Sequence, residues 1–214
     1  RCKQWGWAGL GPEHWHKYYP IAKGDNQSPI EINSKEVHYE PSLLPWFVGY
    51  DPVGARTIVN NGRTCKVVFD DTFNRSVLRN GPLPGIYRLR QLHFHWGSSN
   101  DHGSDFTWYT GIPNTVIMLI ALRNYDGVAI LGIFLQVSRS AHSFFVLLAL
   151  YYISVYLFKG KECVTWILLR ELLLSMAKLR SLSINADTEP ARPMVDNWRP
   201  PQPRHFRMVR ASFQ

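Results

Sequence analysis

The chain has 214 residues, enough for one domain with a sizeable core, and its composition of 45% hydrophobic and 19% charged residues excludes an intrinsically disordered protein. A formal net charge of +8 would permit nucleic-acid binding, but no recognised nucleic-acid motif accompanies the basic residues. The densest basic cluster, which prolines interrupt, predicts a solvated surface: Arg199, Arg204, Arg207 and Arg210. We therefore expect no nucleic-acid partner.

The three cysteines, Cys2, Cys65 and Cys163, form neither a CxxC motif nor an even-numbered disulfide framework. The first residues do not resemble a secretory signal. Reduced thiols in a cytoplasmic protein are the expectation that follows.

The first 100 residues predict irregular chain followed by short strands. Residues 1–30 are rich in aromatic residues, Gly and Pro, whereas residues 31–100 alternate between polar and apolar residues and contain turn signals such as Asn60-Asn61-Gly62. Strands are predicted over Cys65–Phe69 and Tyr87–Trp96. The apolar run 128–135 predicts a central strand buried on both faces. This pattern indicates a mainly β protein with few helices.

Two segments, 108–125 and 137–158, lack the alternation of their surroundings. Within the second, the apolar run 144–158 is shorter than the roughly 20 residues that span a bilayer, so we favour a buried helix or strand pair over membrane insertion. Residues 172–186 predict a short amphipathic helix, and residues 190–214 predict irregular chain with one strand.

His93 and His95 are the first candidate for a functional site. They lie two apart on a predicted strand, so both side chains leave the same face and could share one metal ion. Zinc binds neutral imidazole, and a catalytic zinc typically has three protein ligands and a water. Taken alone, such a pair is more often two hydrogen-bonded or surface histidines than a metal site.

The residues around this pair suggest a family. Segment 91–98, Gln-Leu-His-Phe-His-Trp-Gly-Ser, closely resembles the zinc-binding strand of the α-class carbonic anhydrases. Asn26-Gln27-Ser28-Pro29-Ile30 and Asn197-Trp198-Arg199-Pro200-Pro201 are similar to that family too. The resemblance covers about residues 5–107, 126–136 and 159–214, and is strongest to the cytosolic vertebrate, muscle-type members.

The resemblance implies one β-rich α+β domain over 1–214, built on a large, mostly antiparallel twisted sheet with a few short helices. It also implies a zinc ion at the floor of a cleft, where carbon dioxide and water give bicarbonate and a proton. His93 and His95 match two zinc ligands. Gln91 and the backbone carbonyl of Asn197 match the groups that orient them.

Other positions match the family's peripheral groups. Arg63 stands at the proton-shuttle position, where a permanently protonated guanidinium cannot relay protons. Asp105 stands where the family has a carboxylate of the zinc-hydroxide network. The hydrophobic wall that receives carbon dioxide is matched at three positions: Ile130, Val164 and Trp166.

Two family features are missing from the sequence. Segment 107–120, where the third zinc-binding histidine is expected, contains no histidine, and the threonine loop expected before Cys163 is absent. His102, Asp105 and His142 are candidates for a substitute ligand, none of them favoured. We therefore expect weak or absent zinc and low activity in a monomer acting on carbon dioxide and bicarbonate. The alternatives are an inactive binding or scaffold protein, or an aberrantly spliced product.

Overall fold

The computed structural model describes residues 11–70, 72–99, 115–123, 127–135, 176–185 and 190–213. Its strands are β1 (His38–Tyr39), β2 (Phe47–Val48), β3 (Ala55–Asn60), β4 (Cys65–Phe69), β5 (Val77–Arg79), β6 (Tyr87–Trp96), β7 (Thr115–Arg123), β8 (Gly127–Leu135) and β9 (Arg210–Ala211). The described helices are α1 (Met176–Arg180) and the short 3-10 turns Pro12–Lys17, Pro20–Lys23, Ser34–Glu36 and Pro52–Gly54.

Seven of the strands form one antiparallel sheet, and β1 and β9 form a separate parallel pair. Strand β6 has neighbours along both edges. One edge is shared by β5, at Tyr87 and Arg88, and by β4, from Gln91 to His93. The other edge pairs with β7, which in turn pairs with β8. A large, mostly antiparallel sheet with few short helices confirms the predicted fold class.

The buried face of β6 changes phase at a bulge. Leu89 pairs with Ala121 and Gln91 pairs with Ile120, which leaves Arg90 as one extra residue on β6. Because side chains alternate along a strand, the extra residue turns Gln91, His93 and His95 away from the core face. The core face of β6 is then continued by buried residues on both sides of the bulge: Tyr87, Leu89, Leu92, Phe94 and Trp96.

The main core packs beneath β4 and β6. Its members from outside the sheet are Leu179 of α1 and Met194, each 1% exposed. The helix predicted over 172–186 is thus confirmed over Met176–Arg180, and residues 181–185 continue without helix. The strand predicted near the C-terminus is also confirmed, as β9. No helix in the described part of the chain is long and apolar enough to cross a membrane.

The apolar run 128–135 forms strand β8, but the prediction that it is buried on both faces is wrong. Val128 is 64% exposed and Ile130 is 56% exposed, whereas Ala129 between them is buried. Within the described residues β8 pairs with β7 alone. One face of β8 therefore contributes to the core, and an unbroken apolar run did not reveal that the other face is open.

The first of the two unusual segments is described in part. Residues 115–123 form β7, between β6 and β8, so this stretch supplies a full strand. Segment 137–158, with the apolar run 144–158, lies outside the described residues, as do Cys2 and Cys163.

Candidate metal centre

The two histidines of β6 lie side by side on the face of the sheet opposite the core. Their ring centroids are 5.0 Å apart and the ring planes meet at 70°. Both rings line a cavity of about 540 Å³. The prediction that His93 and His95 leave the same face of a strand is confirmed.

The ring of His95 is oriented by a residue from the C-terminal part of the chain. Its Nδ1 lies 2.6 Å from the backbone carbonyl oxygen of Asn197. A carbonyl can only accept, so this contact assigns the proton to Nδ1 and the lone pair to Nε2, the nitrogen that would bind a metal ion. Such a contact fixes both the tautomer and the ring orientation of a metal-binding histidine.

The side chain of Asn197, 1% exposed, makes further contacts around the pair. Its Oδ1 accepts a hydrogen bond from the Trp96 backbone N–H at 2.8 Å. Its Nδ2 donates to the backbone carbonyl oxygens of Arg63 at 2.9 Å and Phe94 at 3.3 Å. The sequence predicts a role for the backbone carbonyl of Asn197 and not for its side chain, because the partners of the side chain lie 101 to 134 residues earlier.

The ring of His93 is held less tightly. Burial, and secondarily the charges of His95 and Lys66, lower the pKa of His93 to about 4, so the ring is neutral at pH 7 as metal binding requires. Its Nδ1 is buried without a hydrogen-bond partner in the described part of the chain. Gln91 lies on the same face of β6 but does not bond to this nitrogen.

The remaining wall of the cavity is basic and aromatic. Arg63 and Thr64 lie beside the histidines, in a turn where Asn61 Oδ1 accepts from both of their backbone N–H groups. Across the cavity, Arg199 stacks 5.3 Å from the ring of Trp15 and donates to Gln27. The described residues that line the cavity include no carboxylate.

Comparison with known proteins identifies this arrangement. Residues 10–110 match the family model of the eukaryotic-type carbonic anhydrases. Over 263 aligned residues that cover 100% of both chains, the chain is 47% identical to carbonic anhydrase 3 of Rattus norvegicus and 44% identical to that of Homo sapiens. The chain belongs to the carbonic anhydrase family. Carbonic anhydrase 1 of Mus musculus is 39% identical, with 98% of each chain covered.

The alignment with these carbonic anhydrases also shows a difference in length. It extends over 263 positions, whereas this chain has 214 residues. The relatives therefore contain stretches that have no counterpart here.

The structure brings together some of the family positions and not others. The backbone register places Gln91, Ile120 and Ile130 in one row across the sheet, on the face that carries the histidines. Ile130 does not line the cavity at His93 and His95. The other positions proposed from the resemblance lie outside the described residues: His102, Asp105, His142, Val164 and Trp166.

The residues present fit two zinc contacts rather than three. Among the described residues no group of three or more His, Cys, Asp or Glu is close enough to hold a metal ion. On β7 the backbone register sets Met118 opposite His93 and Val116 opposite His95. Neither residue type supplies the nitrogen, oxygen or thiolate ligands that zinc takes. The described part of the site is thus incomplete for a catalytic zinc.

Proposed function

We propose that this chain is a carbonic anhydrase family protein whose reversible hydration of carbon dioxide is strongly impaired or lost. The observation that carries the proposal is the His93–His95 pair, which offers two imidazole donors on one face with no third ligand among the described residues. Two histidines bind zinc more weakly than three, because each ligand adds to the binding free energy. As the resemblance implies, we also propose a monomer of the cytoplasm.

Some residues of this chain retain the properties of the family's zinc cleft. His93 is neutral at pH 7, and the ring of His95 is oriented by the Asn197 carbonyl, which places its lone pair on Nε2. Zinc bound by three protein ligands lowers the pKa of its water, and a two-ligand contact does not provide that site. Arg63 stays protonated at neutral pH, so a proton leaving the cleft cannot be relayed by the side chain at this position.

A second candidate is a non-catalytic binding protein that uses the same cavity. The cavity of about 540 Å³ brings Arg63 and Arg199 together with aromatic side chains, an arrangement that suits a small anion. This candidate predicts a folded protein that needs no zinc.

The test is zinc analysis of the purified full chain, combined with stopped-flow measurement of carbon dioxide hydration. We expect less than one equivalent of zinc after dialysis and a rate close to the uncatalysed reaction. His93→Ala and His95→Ala should each remove the residual zinc. His38→Ala, which changes an exposed histidine of β1, should leave it unchanged.

One tightly bound equivalent of zinc with fast hydration would overturn the proposal. His102, Asp105 and His142 would then be replaced in turn to find the third ligand. A folded protein without zinc or hydration, in which bicarbonate still shifts the side-chain resonance of Arg63, would favour the binding protein.

A further inference from the structure

The hydrogen bonding at Phe94, between the two histidines, differs from ordinary strand pairing. The β4–β6 pairing ends at Lys66 and His93, so Phe94 lies one residue beyond it. Both of its backbone groups bond to one side chain. The Phe94 N–H donates to Thr64 Oγ1 at 3.1 Å, and the Thr64 hydroxyl donates to the Phe94 carbonyl oxygen at 2.5 Å.

A single hydroxyl thus satisfies two backbone groups that a neighbouring strand would otherwise satisfy. A threonine hydroxyl has one proton and two lone pairs, so it can donate to the Phe94 carbonyl and accept from the Phe94 N–H together. The same oxygen lies 3.2 Å from the carbonyl of Cys65, a longer alternative for its one proton.

Asn197 closes this arrangement into a ring. Its Nδ2 donates both to the Phe94 carbonyl oxygen and to the carbonyl oxygen of Arg63, the residue before Thr64. Its own carbonyl contacts the ring of His95. Hydrogen bonds therefore link Thr64 to Phe94, Phe94 to Asn197 and Asn197 to Arg63, and the Arg63–Thr64 peptide bond closes the ring.

The side chain of Phe94 fixes the other side of this backbone. It is 0% exposed and belongs to the main core, so the residue is anchored on one face by packing and at its backbone by Thr64. The ring positions of His93 and His95 depend on the backbone between them, because each is one residue from Phe94.

We propose that Thr64 is a positioning residue for the His93–His95 pair, whose hydroxyl holds the Phe94 backbone so that the two imidazoles keep their side-by-side geometry. The part of this inference that concerns metal affinity rests on the proposed function above. The part that concerns the backbone does not, since it can be measured in the metal-free protein.

The test uses three substitutions in the full chain. Thr64→Val removes the hydroxyl and keeps the branched shape, Thr64→Ser keeps the hydroxyl, and Thr57→Val changes an exposed threonine of β3 that lies outside the cavity lining. The readouts are native-state hydrogen exchange of the Phe94 amide, the ring resonances of His93 and His95, and zinc affinity by chelator competition.

We expect Thr64→Val to raise Phe94 exchange at least roughly tenfold, because a buried N–H loses its acceptor. Zinc affinity should fall by roughly 10- to 100-fold, the usual effect of losing a group that orients a ligand. The ring resonances of His93 and His95 should shift as well. In Thr64→Ser all three readouts should stay close to those of the unmodified chain, and in Thr57→Val none of them should change. Urea unfolding of each variant separates local opening from global destabilisation.

Phe94 exchange within twofold of the unmodified chain in Thr64→Val would overturn the inference, as would equal defects in Thr64→Ser and Thr64→Val. If Thr64→Val does not fold, Thr64→Ala, which adds no buried methyl group, takes its place under the same criteria. If the unmodified chain binds no measurable zinc, the proposed metal contact fails, while the exchange and resonance measurements still decide the role of Thr64.

Discussion

The two neighbours of β6 contribute in different ways to the site. On one edge, β4 pairs with the strand up to His93, and Thr64 and Asn197 then hold the backbone around the histidines with polar side chains. On the other edge, β7 pairs with β6 along its length, from Arg88–Leu122 to Trp96–Thr115. Backbone pairing does not depend on which side chains face the cleft, so the sheet can persist where the ligand set does not.

The strands on the two edges also differ in whether they lie within the match to the family model. The family model matches residues 10–110, which include β4 and β6, whereas β7 lies beyond that match. Comparing the two edges therefore predicts that a third ligand, which the described part of the site lacks, can be supplied from β7.

The largest expected effect is a gain of zinc affinity in Met118→His. Position 118 pairs with His93, and Cβ atoms of directly opposed residues in an antiparallel sheet lie roughly 4.5–5.5 Å apart on the same face. A third imidazole there should tighten zinc binding by roughly 100-fold, equivalent to about 3 kcal/mol. Chelator competition measures the change.

Arg123→His is the matched control for this substitution. It places a histidine on the same strand at an exposed position that pairs with Gly127, remote from His93. Equal affinities for Met118→His and Arg123→His would show that the register of β7 does not set the third ligand, and the comparison of the two edges would fail.

The next largest effect is the pH dependence of the free energy of unfolding that follows from the burial of His93. Burial lowers the pKa of His93 to about 4 from an ordinary value near 6.5. Below pH 6.5 the unfolded chain gains a proton that the folded chain does not accept until about pH 4. His93 therefore removes stability as the pH falls through this window, by about 2–3 kcal/mol in total.

Urea unfolding of metal-free protein at pH 7.5, 5.5 and 4.5 measures this loss. The glutamine side chain in His93→Gln does not titrate in this range, so the free energy of unfolding of this variant should depend less on pH. Equal pH dependence in both proteins would mean that the buried environment of His93 is not the source.

The parts of the fold that local pattern determines were predictable. Cys65–Phe69 and Tyr87–Trp96 were predicted with the bounds that the structure has, because strands alternate with period two and turn signals such as Asn60-Asn61-Gly62 separate them. The same period put His93 and His95 on one face. The family followed from residue identities, and 47% identity to a full-length relative bears it out.

The parts that depend on distant partners were not predictable. The contacts of Asn197 with Trp96 and Phe94, and of Thr64 with Phe94, join residues 30 to 103 positions apart. No spacing in the sequence predicts these contacts. The bulge at Arg90 was also missed, although the sequence carries a trace of it: two consecutive polar residues, Arg90 and Gln91, interrupt the apolar alternation between Leu89 and Leu92.

The smallest expected effect comes from one kind of substitution, Val to Thr, made in β4 on one side of β6 and in β8 on the other. Val67 of β4 is 0% exposed and Val128 of β8 is 64% exposed. Val67→Thr buries a hydroxyl of the same shape and should cost about 2 kcal/mol of unfolding free energy. Val128→Thr should change it by less than about 0.5 kcal/mol, since surface substitutions usually do. Urea unfolding at pH 7.5 decides between them. Equal costs would mean that the cleft-side face of β8 is covered, and the openness assigned to that edge of the sheet would have to be withdrawn.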